Sequence, residues 1–533
     1  NIVSSNNSLS ELGNLLVSSL EYIDNYDNNQ QRNKQSDIFY INTAGSKLTH
    51  AYEQIRNASE YADDHLFRQR AIRRFLARTL SFHEKTDISN TGEELVTELT
   101  LAGYINNGSM SNQDCKNIQS QIKRYYGAYW QYVKIEHSHT KCMQFKNWLL
   151  DVLSVRCEQI IQPNIRQVSF TQFAFTYLRN NITKDNISNL TGSSIKPEEY
   201  SIILYIAIQQ ALLKLGQATI RTSLIDSYHQ DITIIAHFES FNEIIDNLFG
   251  SKAVAITERI IKKNGATLKM IYTAFYAPNA QMNISDLESE SILTYSLEKH
   301  IKREYATLDK LLDNAIIKSI VFLIITKSII GLSIEVPYDL IVEGHIEWVP
   351  LIINLLFPAL FIGLSRFTLT IPNTRNTDTI VDQAVAMIFN NHPEIKISIR
   401  QQKASTGFSI AYGILFILAF VGLSYILYLL KFNIVQGIIF VIFLSTASFL
   451  VFRMSAQIRE IEAVTQNKPI SSVLRDIIYL PFIYVGQQIS SKYAKMNIIA
   501  MTLDMLIEMP LKSVLRIFRQ WATFLNNKRD DLL

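Results

Sequence analysis

WVPLIINLLFPALFIGLSRF, residues 348–367, carries no charged side chain before Arg366. At 1.5 Å per residue, a helix of ~20 residues covers the ~30 Å hydrocarbon core of a bilayer. Three similar runs surround it: IIKSIVFLIITKSIIGL at 316–332, FSIAYGILFILAFVGLSYILYLL at 408–430 and IVQGIIFVIFLSTASFLVF at 434–452. Lipid offers the backbone no hydrogen-bond partners, so runs of this length and polarity are read as spanning helices. They follow more than 300 residues of mixed polarity, which sets the class as a membrane protein with a large extramembrane portion.

The distribution of Lys and Arg orients the spans. The connection at 333–347 has neither, but holds Glu335, Asp339, Glu343 and Glu347. The connection between the second and third spans carries Arg375, Lys396, Arg400 and Lys403, with Arg366 at the end of the second span. Lys302, Arg303 and Lys310 precede the first span, and Arg453 and Arg459 follow the fourth. Basic flanks stay in the cytoplasm. The N-terminus, the middle connection and the C-terminus are therefore expected on the cytoplasmic side, with only Lys431 opposite. The three cysteines, Cys115, Cys142 and Cys157, are too few and odd in number for a disulfide framework, which fits a reducing compartment.

Composition excludes some functions. A net charge of +3 is too small for a nucleic-acid surface. The 18 glycines fall well short of the usual share of about 7%. Transporters use glycine to bring helices together and to break them at mid-membrane, so the shortage favours anchoring over transport.

Before the spans the periodicity is helical. Leu9, Leu12, Leu15, Leu16 and Leu20 predict a short amphipathic helix, followed by a polar linker over 27–36. Residues 64–85 place Phe67, Ala71, Ile72, Phe75, Leu76 and Leu80 on an apolar face, with Arg68, Arg70, Arg73, Arg74 and Arg78 elsewhere. That arginine face reads as a solvated face or as a contact with anionic headgroups. Residues 200–215 read as a buried core helix. Residues 231–238 and 269–275, β-branched or aromatic, allow at most a minor hairpin. Residues 285–313 predict a stiff helical stalk running into the first span.

The segments YEQIRNA at 52–58, residues 65–78, and ELVTELTLAGY at 94–104 resemble the opening of uncharacterised helical multi-spanning membrane proteins of small-genome bacteria. The resemblance implies a bacterial plasma membrane and no particular chemistry.

Candidate chemistry is sparse. His137, His139 and Cys142 are zinc-ligand types, but their spacing belongs to no familiar module, and on one helix the two histidines would face opposite ways. No phosphate loop, dinucleotide fingerprint, HExxH, GxSxG or CxxC is present. Lys327 is the ionisable group well inside a span, and with no acidic residue in any of the four runs it is expected to snorkel to the interface. Past the spans, 477–485 is an apolar run broken by Pro481, too short to cross and suited to the interface. Residues 496–508 and 510–525 read as amphipathic helices. In the second, Leu511, Val514, Leu515 and Phe518 oppose Lys512, Arg516 and Arg519, so anionic inner-leaflet lipid is the expected partner.

The sequence thus predicts an all-α chain. Its expected parts are a polar N-terminal segment with a short helix (1–36), a helical cytoplasmic domain (37–284), a stalk helix (285–313), a four-helix transmembrane region (314–453) and an interfacial amphipathic tail (454–533). It predicts no catalytic, cofactor-binding or metal-ligating residue, no cofactor and no enzyme activity. The expected role is a structural or scaffold subunit, self-associating or bound to other membrane proteins. The alternative is a transport or channel component built from oligomerised four-span units.

Overall fold

A computed structural model describes residues 9–33, 37–41, 49, 50, 53, 64–390, 406–464, 479–490 and 521 of the chain. Among these residues every regular element is helical, apart from two isolated bridges, Leu9 with Phe389 and Ile38 with Ser111. The chain forms two compact units.

One unit holds the described residues of 11–261 with 276–279. Its helices are α1 (Glu11–Asn33), α2 (Asp64–Thr79), α3 (Thr91–Leu101), α4 (Asn112–Ile135), α5 (His139–Ile161), α6 (Ile165–Asn181), α7 (Lys184–Thr191), α8 (Pro197–Ala211), α9 (Gln217–Ser227), α10 (Ile235–Phe249) and, running to its edge, α11 (Lys252–Asn264). Local chemistry sets several ends. Ser111 and Asp114 form a capping box that starts α4, and α7 stops at Gly192, whose φ of 72° a side chain rarely adopts. The core includes Tyr125, Tyr126, Phe145 and Phe238, with Tyr132 stacked on Phe145 at 4.1 Å. Each such side chain contributes about 1.5–3 kcal/mol by leaving water. The expected core helix is α8, buried through Ile202, Ile203, Leu204, Ile206 and Ile208.

Three expectations differ here. Helix α1 runs on to Asn33, into the stretch read as a linker, with Leu16, Leu20 and Ile23 burying one face of it. Residues 231–238 form a turn and the start of α10, and 269–275 are helical, so β propensity yields to tertiary packing. Four arginines of α2 are engaged in ion pairs within the domain, Arg68 with Glu158, Arg73 with Asp151, Arg74 with Glu53 and Arg78 with Glu98, while Arg70 and Arg78 stay exposed.

The other unit holds 1–10, 262–275 and 280–497. Its helices are α12 (Ala266–Ile271), α13 (Glu290–Ile330), α14 (Trp348–Ser365), α15 (Thr374–Ile388), α16 (Thr406–Leu429) and α17 (Ile434–Arg459). Among the described residues four helices are long and apolar enough to cross a membrane: Glu290–Glu343, Trp348–Thr368, Ile410–Leu429 and Ile434–Arg459. The expected stalk and first span are one helix, and it does not stop where the apolar run stops. Past Ile330 it continues as a π turn (Gly331–Glu335), a short α segment (Val336–Tyr338) and a second π turn (Asp339–Glu343), ending at Gly344 with φ 76°. Pro337 lacks an N–H, and the wider i→i+5 turns absorb that interruption without breaking the helix.

Leu312, Ile316 and Leu323 of α13 pack with Ile362 of α14 and with Ile439, Phe443, Ala447 and Met454 of α17. Helical residues 479–490 lie against the spans: Tyr479 meets Phe361, Phe482 packs with Phe420, Phe440 and Leu444, and Tyr484 meets Phe416. This segment, expected at the interface, is thus seated on the bundle. The amphipathic segments at 496–508 and 510–525 and the basic residues Lys396, Arg400 and Lys403 lie outside the described residues, apart from Trp521.

Candidate functional site

The bundle is tied by polar groups at both ends. At one end Arg366, closing the second span, pairs with Asp309 and Asp313 of α13. Beside it Asn376 is buried on α15. It donates to the Tyr305 hydroxyl at 2.8 Å and the Ile461 carbonyl at 2.9 Å, and it accepts from the Ala463 amide at 2.7 Å. One carboxamide therefore joins the first-span helix, α15 and the chain leaving the fourth span.

At the other end the groups are charged. Lys327 Nζ donates to Glu335 Oε1 and lies 4.8 Å from the centre of the Phe443 ring. Glu335 Oε2 accepts from Asn354 Nδ2 at 3.0 Å, and the same amide reaches the Gln436 carbonyl at 3.3 Å. Gln436 Nε2 donates to both oxygens of Asp339, at 3.2 and 3.0 Å, and Asn433 Nδ2 donates to Asp339 Oδ1 at 2.8 Å. Lys327 is 2% exposed, and Glu335, Asp339, Asn354 and Gln436 are 0% exposed.

Geometry explains the pairing. In an α-helix a residue eight positions on lies about 80° round the axis. A π turn takes more residues per revolution and carries Glu335 back onto the face of Lys327. Asn433 and Gln436 form the capping box that starts α17, so the helix cap also supplies amide donors to Asp339. Beside Asn433 an open cleft of about 420 Å³ is lined by Glu343, Tyr428, Leu429, Lys431, Phe432 and Asn433.

This corrects the reading of Lys327. It does not snorkel, and its partner comes from its own helix. Glu335 and Asp339 lie past the end of the apolar run at 316–332, in the stretch that reads as the connection at 333–347. The signal that could have found them is the apolar pattern that resumes at Ile334, Val336 and Leu340.

The other candidates disperse. His137 and His139 are exposed at the α4–α5 junction, and Cys142 donates to the Glu136 carbonyl at 3.5 Å. Among the described residues no group of three His, Cys, Asp or Glu could hold a metal. Burial pushes the Cys115 thiol up to about 11 and the Cys157 thiol up to about 12, so neither offers a reactive thiolate. Glu199 serves the start of α8, accepting from the Lys196 amide at 3.3 Å.

Fold and network together define an all-α membrane protein with four helices of spanning length. Comparison with protein-family models, with curated proteins and with solved structures gave no match.

Proposed function

We propose that the chain is a non-enzymatic structural subunit of a bacterial plasma membrane, assembling with further copies of itself through its third span. The observation that carries this reading is the packing of that span. Only 6% of its most apolar stretch is buried, against 28%, 28% and 39% for the other three. A Cβ added at Gly413 or Gly422 would meet nothing within 4 Å. Nine positions apart, the two glycines lie about 180° from each other round the helix and so leave two of its faces open, and small residues permit close helix–helix approach in lipid. The Lys/Arg asymmetry supports cytoplasmic termini.

Because both glycines face open space, Gly413→Leu and Gly422→Leu should leave the monomer's thermal unfolding unchanged. They should reduce cross-linked oligomer in native membranes. A monomeric wild type, or oligomer unaffected by both changes, would overturn the reading.

Transport by an oligomer is the second reading, favoured by the buried Glu335 and Asp339, since charge inside a span is rarely kept without a role. Its test is ion flux in proteoliposomes.

A further inference from the structure

The buried charges at the Lys327 end do not sum to zero. Lys327 offsets Glu335, which leaves Asp339. Both Asp339 oxygens accept only neutral amide N–H groups, from Gln436 and Asn433. With no exposure to water, a carboxylate so placed costs several kcal/mol unless a positive charge joins it. A second observation points the same way. Asn354 Oδ1 is buried and has no donor. It belongs to the carboxamide whose nitrogen holds Glu335 and the Gln436 carbonyl, so it lies inside the network.

From the surplus carboxylate and the orphan carbonyl oxygen, we propose that this buried polar cluster is a binding site for one monovalent cation, with sodium ion and proton competing for it. The proposal goes beyond the structural role argued above. A single positive charge satisfies both groups: an alkali ion by oxygen ligation from Asp339 and Asn354, a proton by neutralising Asp339. A divalent ion would overshoot the surplus of one and meet the Lys327 ammonium.

The charged groups facing Asp339 are few. Its own helix brings Lys327, Glu335 and Glu343; α14 and α17 bring only the amides of Asn354 and Gln436, with that of Asn433 just before α17. Lys431, in the cleft beside Asn433, is exposed and forms no ion pair among the described residues.

The test uses the full chain in nanodiscs, with thermal unfolding followed in NaCl or choline chloride at equal ionic strength, at acidic and alkaline pH. Sodium should stabilise the protein at alkaline pH and lose that effect at acidic pH, where protons occupy the site. Asp339→Asn, which keeps the shape and removes the charge, should abolish both responses. Saturable binding of radioactive sodium to the unmodified protein gives a readout that does not depend on the variant folding. A pH response through Asp339 without a sodium response would still support the site and identify the proton as its ligand. No sodium binding together with pH-independent stability would overturn it, as would responses that survive in Asp339→Asn. Binding without flux in proteoliposomes would uphold the site while removing the transport reading.

Discussion

At the residue scale, Lys327 and Glu335 act as one unit, and their energies are not separable. Removing one partner strands the other charge in the bundle. Lys327→Met should therefore destabilise the membrane unit by about 3–5 kcal/mol, and Glu335→Leu, which strands the ammonium instead, should do so by a similar amount. The double variant Lys327→Met/Glu335→Leu should recover most of the loss, because an apolar pair can replace a buried ion pair at little cost. Denaturation of the four proteins in one detergent gives the coupling energy, and additive losses would show that the pair is not energetically linked.

Glu158 gives a second residue-scale expectation, in the unit that holds α2 and α5. Burial raises its carboxyl from 4.5 to about 7, and Arg68 at 3.3 Å only partly opposes the rise. Between those values the folded chain keeps a proton that the unfolded chain has released. Stability therefore falls as pH rises through this window, by up to roughly 3 kcal/mol. Glu158→Gln should flatten the fall while still accepting a hydrogen bond from Arg68. Urea midpoints measured from pH 4.5 to 8 would decide, and parallel curves for the two proteins would reject it. Lys327 was legible in the sequence as a costly charge. Its partner was not, because apolar-run reading stops at the first cluster of carboxylates and proline.

At the element scale, the spans were legible because lipid leaves little choice of structure, and so was the helix running into the first of them. Helix ends and packing faces were less so. The α2 arginines look solvent-facing by periodicity alone, and only the structure shows that Arg68, Arg73, Arg74 and Arg78 are tied to carboxylates of α5, α3 and Glu53. The segment 479–490 looks interfacial by length, yet Gly486 brings it onto α17. A Cβ there would sit 2.1 Å from the Ser445 carbonyl oxygen and 2.8 Å from Phe449 Cβ. Gly486→Ala should thus displace the segment, costing about 1–3 kcal/mol by overpacking. Labelling of a cysteine placed at Tyr484 should rise in that variant, and unchanged labelling would show that the contact is not close.

At the scale of the whole molecule, class was legible and chemistry was not. Amphipathic periodicity identifies helices but not which polar groups meet. Thus the network of Lys327, Glu335, Asn354, Gln436 and Asp339 joins positions far apart in the chain. Topology can be checked without resolving that network. Gly344 is the turn between the first two spans, so reporters fused after Gly344 and after Leu533 should report opposite sides of the membrane. Equal signals would invert or break the arrangement of spans.

The helix Glu290–Glu343 has 54 residues, so its axis runs roughly 80 Å, of which a bilayer core covers only about 30 Å. Such a rod is a lever. A tilt of about 5° at the Lys327 end swings the Glu290 end, about 55 Å away, through roughly 5 Å, and bilayer thickness is among the quantities that set helix tilt. A change in membrane thickness is thereby geared up into a displacement larger than the thickness change itself, far from the lipid.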